Sequence, residues 1–240
     1  AKVYPANATY ANDIEFRITT VLGIKSNIAE IVSVENGEIT VRCKGDGEFF
    51  LRALCKNGTE KYHILTALKL TGEGLGAASF NPYELVLGGL HTVQTDNISN
   101  GIERGAGFAN ENSWFGFENV DFGSIGSDTV TVPIFANCTT PVKIRFYDGI
   151  PGEGGEMIGE FSYHEPPQWL TYIPNTFKLN KVLKGMHTFV MESDDGYNVQ
   201  GFVFRKPDKE FGEINAADNE SVYGDKFTAE PDAVTGIGNN

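Results

Sequence analysis

Short runs in which apolar and polar residues alternate with a period of two recur along this chain, and they leave little room for anything but β-structure. Ile14-Glu-Phe-Arg-Ile18, Glu38-Ile-Thr-Val-Arg-Cys43 and Phe49-Phe-Leu-Arg-Ala-Leu54 each place one set of side chains on one face and the other set opposite. A further strand is expected over Tyr62 to Thr71, ending at Gly72-Glu-Gly74. Lys44-Gly-Asp-Gly-Glu48 reads as a hairpin turn between the second and third runs, because its glycines can take positive φ. Strands at roughly 8–12-residue spacing, with no convincing helical period, predict an all-β fold.

The same pattern resumes after Gly72 to Ser79, a segment rich in Gly and Ala that reads as a linker. Strands are expected at Tyr83–Leu87, Ser113–Phe117, Thr129–Phe135, Lys143–Tyr147, Met157–Tyr163, Thr171–Leu179, Gly185–Glu192 and Val199–Arg205. The predicted organisation is an N-terminal β-sandwich over 1–73, a jelly-roll β-sandwich over 80–207, and an acidic tail over 208–240. Tyr223-Gly-Asp-Lys-Phe-Thr and Gly236-Ile-Gly-Asn-Asn240 echo earlier segments, so the tail reads either as the truncated start of a further module or as a polar terminus.

The net charge of −13 opposes nucleic acid as a partner, since an acidic surface repels phosphate. Neutral ligands are indifferent to it. No apolar run approaches the ~20 residues of a membrane span. The opening Ala-Lys-Val-Tyr-Pro has no signal-peptide pattern and begins as if cut from a longer chain. Cys43, Cys55 and Cys138 have no metal-ligand spacing, and the expected turn offsets Cys43 from Cys55, so free thiols are expected. Free thiols favour a reducing cytoplasm, with an extracellular setting left open.

Catalytic patterns are missing from the sequence. His63, His91, His164 and His187 are scattered, and no Gly-x-Ser-x-Gly elbow occurs. Glu103, Glu111 and Glu118 are carboxylates without evidence of the paired spacing glycoside hydrolysis requires. Catalysis within these residues is not expected.

Residues Tyr4-Pro-Ala-Asn-Ala-Thr9, Ile14-Glu-Phe16, Ser26-Asn-Ile-Ala-Glu30, Asn36-Gly37 and Gly45-Asp-Gly47 resemble a bacterial immunoglobulin-like domain. Gly107-Phe108 with Trp114 and Phe117, then Trp169, then Asn198 with Phe202 and Phe204, resemble the family 6 carbohydrate-binding modules over about 125 residues. That resemblance implies a sugar held by Phe108 and Trp169 as ring platforms and Asn198 as the polar anchor. A pyranose offers a C–H face to a ring and hydroxyls to an amide that both donates and accepts. Phe108 stands where Tyr or Trp is usual. Trp114, inside an alternating strand, reads as core. The structural calcium of such modules is possible but not assigned, because Asn81-Pro-Tyr-Glu84 replaces the usual Glu-x-Glu; no other cofactor is implied.

The order of the segments, from Val3-Tyr-Pro-Ala-Asn-Ala-Thr-Tyr10 to Asn119-Val-Asp-Phe-Gly123, looks like the C-terminal region of clostridial glycoside hydrolase family 2 enzymes of the β-galactosidase type. The resemblance implies a non-catalytic accessory fragment that binds carbohydrate, a galactoside or plant oligosaccharide, beside an upstream catalytic domain of the same chain. Spacer or oligomerisation modules of the same enzyme, and β modules of a cell-surface adhesin, remain the alternatives.

Overall fold

The computed structural model describes residues 4, 7, 9, 10, 13–35, 38–56, 63–108, 113–136, 140–166, 168, 170–207, 227–230 and 233–236. The strands are β1 (Ile14–Thr19), β2 (Ala29–Glu35), β3 (Glu38–Cys43), β4 (Gly47–Lys56), β5 (His63–Gly72), β6 (Val86–Leu87), β7 (Val93–Gln94), β8 (Ile98–Asn100) and β9 (Ala106–Phe108). They continue with β10 (Ser113–Asp121), β11 (Ser127–Phe135), β12 (Val142–Asp148), β13 (Glu156–Tyr163), β14 (Ile173–Leu183), β15 (Met186–Ser193), β16 (Asn198–Val199) and β17 (Gly201–Phe204). A last pair, β18 (Phe227–Glu230) and β19 (Ala233–Gly236), forms an antiparallel hairpin in the tail. The all-β expectation holds, with one single-turn 3₁₀ segment, Gly88–Leu90, and a left-handed turn at Ile102–Arg104 among the described residues.

Two separate hydrophobic cores lie on either side of the Gly72–Ser79 segment. The first is small. A three-stranded sheet, β1-β4-β5, packs on the β2-β3 pair through Ile18, Ala29 and Phe49, with Ile31, Val41, Leu51 and Leu70 around them. The expected hairpin at Lys44–Glu48 is corrected here. β3 pairs with β2 and β4 with β1 and β5, so this segment is a corner between two sheets. Tertiary bonds account for the difference. The N–H groups of Lys44 and Gly45 donate to the Ile28 carbonyl, and the Asp46 N–H donates to the Gly76 carbonyl at 2.7 Å. The Asp46 carboxylate in turn accepts the N–H groups of Leu75 and Gly76, at 2.8 and 3.0 Å.

Those bonds tie the expected linker to the first core. A side chain on Gly45 would collide with Ala78 at 2.5 Å, so the two backbones meet where only glycine fits. The Asn27 amide reaches the carbonyls of Ala78 and Ser79, and Lys25 pairs with Glu84 across the joint. Cys43 and Cys55 form no disulfide with each other, and the Cys55 thiol donates to the Tyr10 carbonyl at 3.1 Å; Cys138 lies outside the described residues.

The second core is a two-layer sandwich. One layer is β13-β12-β15-β10-β7. In the other, β11 pairs with β14 on one side and, on the other, with β16 and β17 lying end to end; β9 and then β8 flank β16, and β6 flanks β17. Alternate residues of both layers face inward and meet as phenyl rings. Phe189 lies 5.7 Å from Phe146, 4.9 Å from Phe202 and 5.0 Å from Phe204; Phe117 lies 5.0 Å from Phe202. Phe189→Ala is expected to cost about 3–5 kcal/mol, as a fully buried ring is replaced by a cavity; urea denaturation of the 240-residue chain measures it.

At the end of β12, Asp148 accepts hydrogen bonds from Lys181 of β14, in the other layer, and from His187 Nδ1 of β15, each at 2.8 Å. Burial opposes its ionisation, but those two partners outweigh burial and hold its carboxyl below the usual range. A carboxyl lowered on folding contributes stability above its unfolded pKa of about 3.9, and that contribution disappears as pH falls through the lower folded value. Replacement by Asn should therefore reduce stability at pH 6 and flatten its fall below about pH 4, as followed by denaturation across pH.

Candidate functional site

The register of the second sandwich brings Ser99 and Asn198 to either side of Gly107 on its seven-stranded sheet. Asn198 pairs with Gly107 on one side and Phe135 on the other, Gly107 pairs with Ser99, and Ile134 pairs with Ile173. Ser99, Gly107 and Asn198 thus form a row across three strands, with Tyr172 just beyond the start of β14. Val199 is buried, so its neighbours Asn198 and Gln200 point to the outer face.

Two glycines make the floor of this face shallow. A side chain on Gly107 would meet the Ser99 hydroxyl at 2.6 Å and Asn198 Oδ1 at 2.9 Å. One on Gly105 would meet the Val199 carbonyl at 2.2 Å and the Tyr172 hydroxyl at 2.6 Å. The polar groups therefore close over bare backbone. Glu103 Oε2 accepts a hydrogen bond from Gln200 Nε2 at 3.3 Å. Burial, with Glu103 adding to it, pushes the Tyr172 phenol up to about 12, so it stays protonated and able to donate at neutral pH. Asn198 is half-buried, and its amide makes no hydrogen bond to a described residue.

Of the three residues expected from sequence, the structure puts Asn198 at this face. Phe108 is corrected. It is 4% exposed, with its ring 5.0 Å from Phe115 and 4.8 Å from Tyr197, so it is a core residue and offers no face to a ligand. The cause is strand alternation: Gly107 shares the face of Asn198, so Phe108 turns to the other. Trp169 lies outside the described residues, three positions before Tyr172. Tyr172 itself was missed, because Thr171–Leu179 reads as one strand; its mark is an amphipathic ring at the junction of loop and strand.

Trp114 is a second correction. It is half-buried and lies on the outer face of its sheet, opposite the core-facing Phe115 and Phe117. In register beside it stands Glu192, whose carboxylate accepts from Arg145 at 2.8 Å and from the Tyr147 hydroxyl at 3.4 Å. Arg145 also donates to Glu160 at 2.8 Å. In Asn81-Pro-Tyr-Glu84, which stands where the family's usual Glu-x-Glu would be, the Glu84 carboxylate is engaged by Lys25 and by Asn81.

No protein-family model matches this chain, and no curated protein matches it in sequence. Among solved structures it is similar to a family 6 carbohydrate-binding module from Clostridium stercorarium in complex with cellobiose, at 18% identity and a TM-score of 0.47, covering 54% of this chain and 98% of that one. It is also similar to a family 6 module from Clostridium cellulolyticum in complex with xylose, at 23% identity and a TM-score of 0.43, covering 53% of this chain and all of that one. A family 43 arabinoxylan arabinofuranohydrolase from Bacillus subtilis is similar at 14% identity and a TM-score of 0.44, covering 67% of this chain and 39% of the enzyme.

The outer position of Trp114 sets its energetic expectation. Trp114→Ala should cost about 1–2 kcal/mol, less than a core ring, because part of the indole already faces solvent. Parallel denaturation of the Trp114 and Phe189 variants tests that order.

Proposed function

We propose that residues 80–207 form a non-catalytic carbohydrate-binding module whose ligand lies on the outer face around Asn198, Gln200 and Tyr172, with Trp169, three residues before Tyr172 in sequence, as the ring expected from the sequence. The observation that carries this reading is the half-buried Asn198 amide, without a partner among the described residues, set over a glycine floor beside a protonated phenol. A sugar hydroxyl both donates and accepts, as that amide does, and a ring covers the C–H face of a pyranose. The sequence resemblance supports an accessory role within a β-galactosidase-type glycoside hydrolase of family 2, with residues 1–73 as an immunoglobulin-like module. The upstream catalytic domain is then the partner within the same chain.

A second reading puts the sugar on the sheet face at Trp114, where a partly exposed indole adjoins the Glu192–Arg145–Glu160 row. Calorimetry with cello-, xylo- and galacto-oligosaccharides separates the two. Asn198→Ala and Trp169→Ala should each lower affinity about ten- to thirtyfold, the equivalent of about 1.4–2 kcal/mol, without changing the unfolding temperature. Binding that both variants leave intact overturns the loop-end site, and its loss in Trp114→Ala alone moves the ligand to the sheet face. No binding at millimolar sugar replaces both readings with the spacer role.

A further inference from the structure

Glu103 and Arg104 are consecutive non-glycine residues in the left-handed region, with φ of 49° and 67°. Such conformations are unfavourable for L-residues and persist where the surroundings hold them. Here the Gly101 N–H closes the turn on the Gly105 carbonyl at 3.0 Å, and Gly89 lies so close that any side chain there would meet the Arg104 carbonyl at 2.7 Å. The turn sets the Glu103 carboxylate within hydrogen-bond reach of Gln200, next to the Tyr172 phenol, at the rim of the Asn198 face.

The chemistry of this carboxylate is distinctive. Gln200 supplies one hydrogen bond, and no ion pair neutralises Glu103 among the described residues. An ionised carboxylate has about four acceptor positions and no donor, so most of its capacity is open. The neighbouring groups, Asn198, Gln200 and Tyr172, are neutral and present both donors and acceptors. A hydroxyl-bearing neutral sugar completes this set. A carboxylated sugar brings a second anion to an uncompensated one, within a chain that already carries −13.

We infer that Glu103 is a specificity-determining residue of the proposed sugar site: it accepts hydroxyl protons from neutral glycans and turns away their uronate counterparts. This rests on the loop-end reading of carbohydrate binding. Glu103→Gln keeps the size of the side chain and removes the charge, so it isolates the electrostatic part of the selection.

The test is calorimetric titration of the full 240-residue chain with cellohexaose and β-1,4-galactohexaose, each beside its C6-oxidised, carboxylated form. The unaltered protein should bind at least one neutral form ten or more times more tightly than its carboxylated partner. In Glu103→Gln that ratio should fall below about three, with the unfolding temperature unchanged. Raising salt from 20 to 500 mM should narrow the ratio more in the unaltered protein than in the variant, since screening weakens charge–charge terms and the variant lacks the one at Glu103; a purely structural role for Glu103 does not predict that difference. A ratio that stays the same in Glu103→Gln overturns the inference, and it leaves the sugar site standing if Asn198→Ala still lowers neutral affinity about ten- to thirtyfold. Absence of binding by every probe, or neutral binding unaffected by Asn198→Ala, removes the inference together with the site.

Discussion

The phenylalanine layer of the second sandwich is the contact on which the rest depends. Phe117, Phe146, Phe189, Phe202 and Phe204 come from both sheets and are all 2% exposed or less. Their ring pairs are tilted, edge-on or stacked at 4.9–5.8 Å, the range in which aromatic pairs add to simple burial. Each ring removes on the order of 150–250 Å² from water, which at about 25 cal/mol/Å² makes this layer a large contribution to the stability of the second sandwich. The strands that carry Asn198 and Gly107, and β14 beside Tyr172, belong to one of these layers, so hydrogen-bond register within that sheet sets their spacing.

The first sandwich is built differently. Its buried core is three residues with partly buried neighbours, and it draws on hydrogen bonds to the chain that follows it. Asp46 grips the backbone at Leu75 and Gly76, Gly45 lies against Ala78, and Asn27 reaches Ala78 and Ser79. A carboxylate accepting backbone N–H groups makes a charge-assisted bond, stronger than a neutral one. The glycines of Gly72–Ser79 therefore serve close approach as well as turning, and the segment leaves the first core in a defined direction.

The outer face of the second sandwich combines rigidity below with local strain above. The strand pairing of β9, β16 and β11 sets the floor, while the left-handed turn at Glu103 and Arg104 places a carboxylate at its edge. Unfavourable backbone conformations cluster where function asks for an exact side-chain position. The opposite, five-stranded sheet has a different surface chemistry. There Arg145 lies between Glu160 and Glu192, so its charges are mutually satisfied.

The sequence by itself determined the all-β class and placed most strands within a few residues, because a period of two is a local property of the chain. It also determined that Asn198 opens the final strands and that the chain carries a large negative charge. It did not determine which strands pair. The Gly-rich corner at Lys44–Glu48 has the composition of a hairpin, and only bonds from Ile28 and Gly76, distant in sequence, turn it into a passage between sheets. Nor could alternation alone say which face of a strand is inside. Phe108 and Trp114 are both aromatic residues beside other aromatics, yet pairing register sends the first into the core and the second outward. Tyr172 reaches the site of Asn198 although 26 residues separate them (198 − 172), because β14 and β16 flank the same strand, β11. Facing and proximity of this kind follow from long-range hydrogen-bond register, which exists only once the sheets have formed.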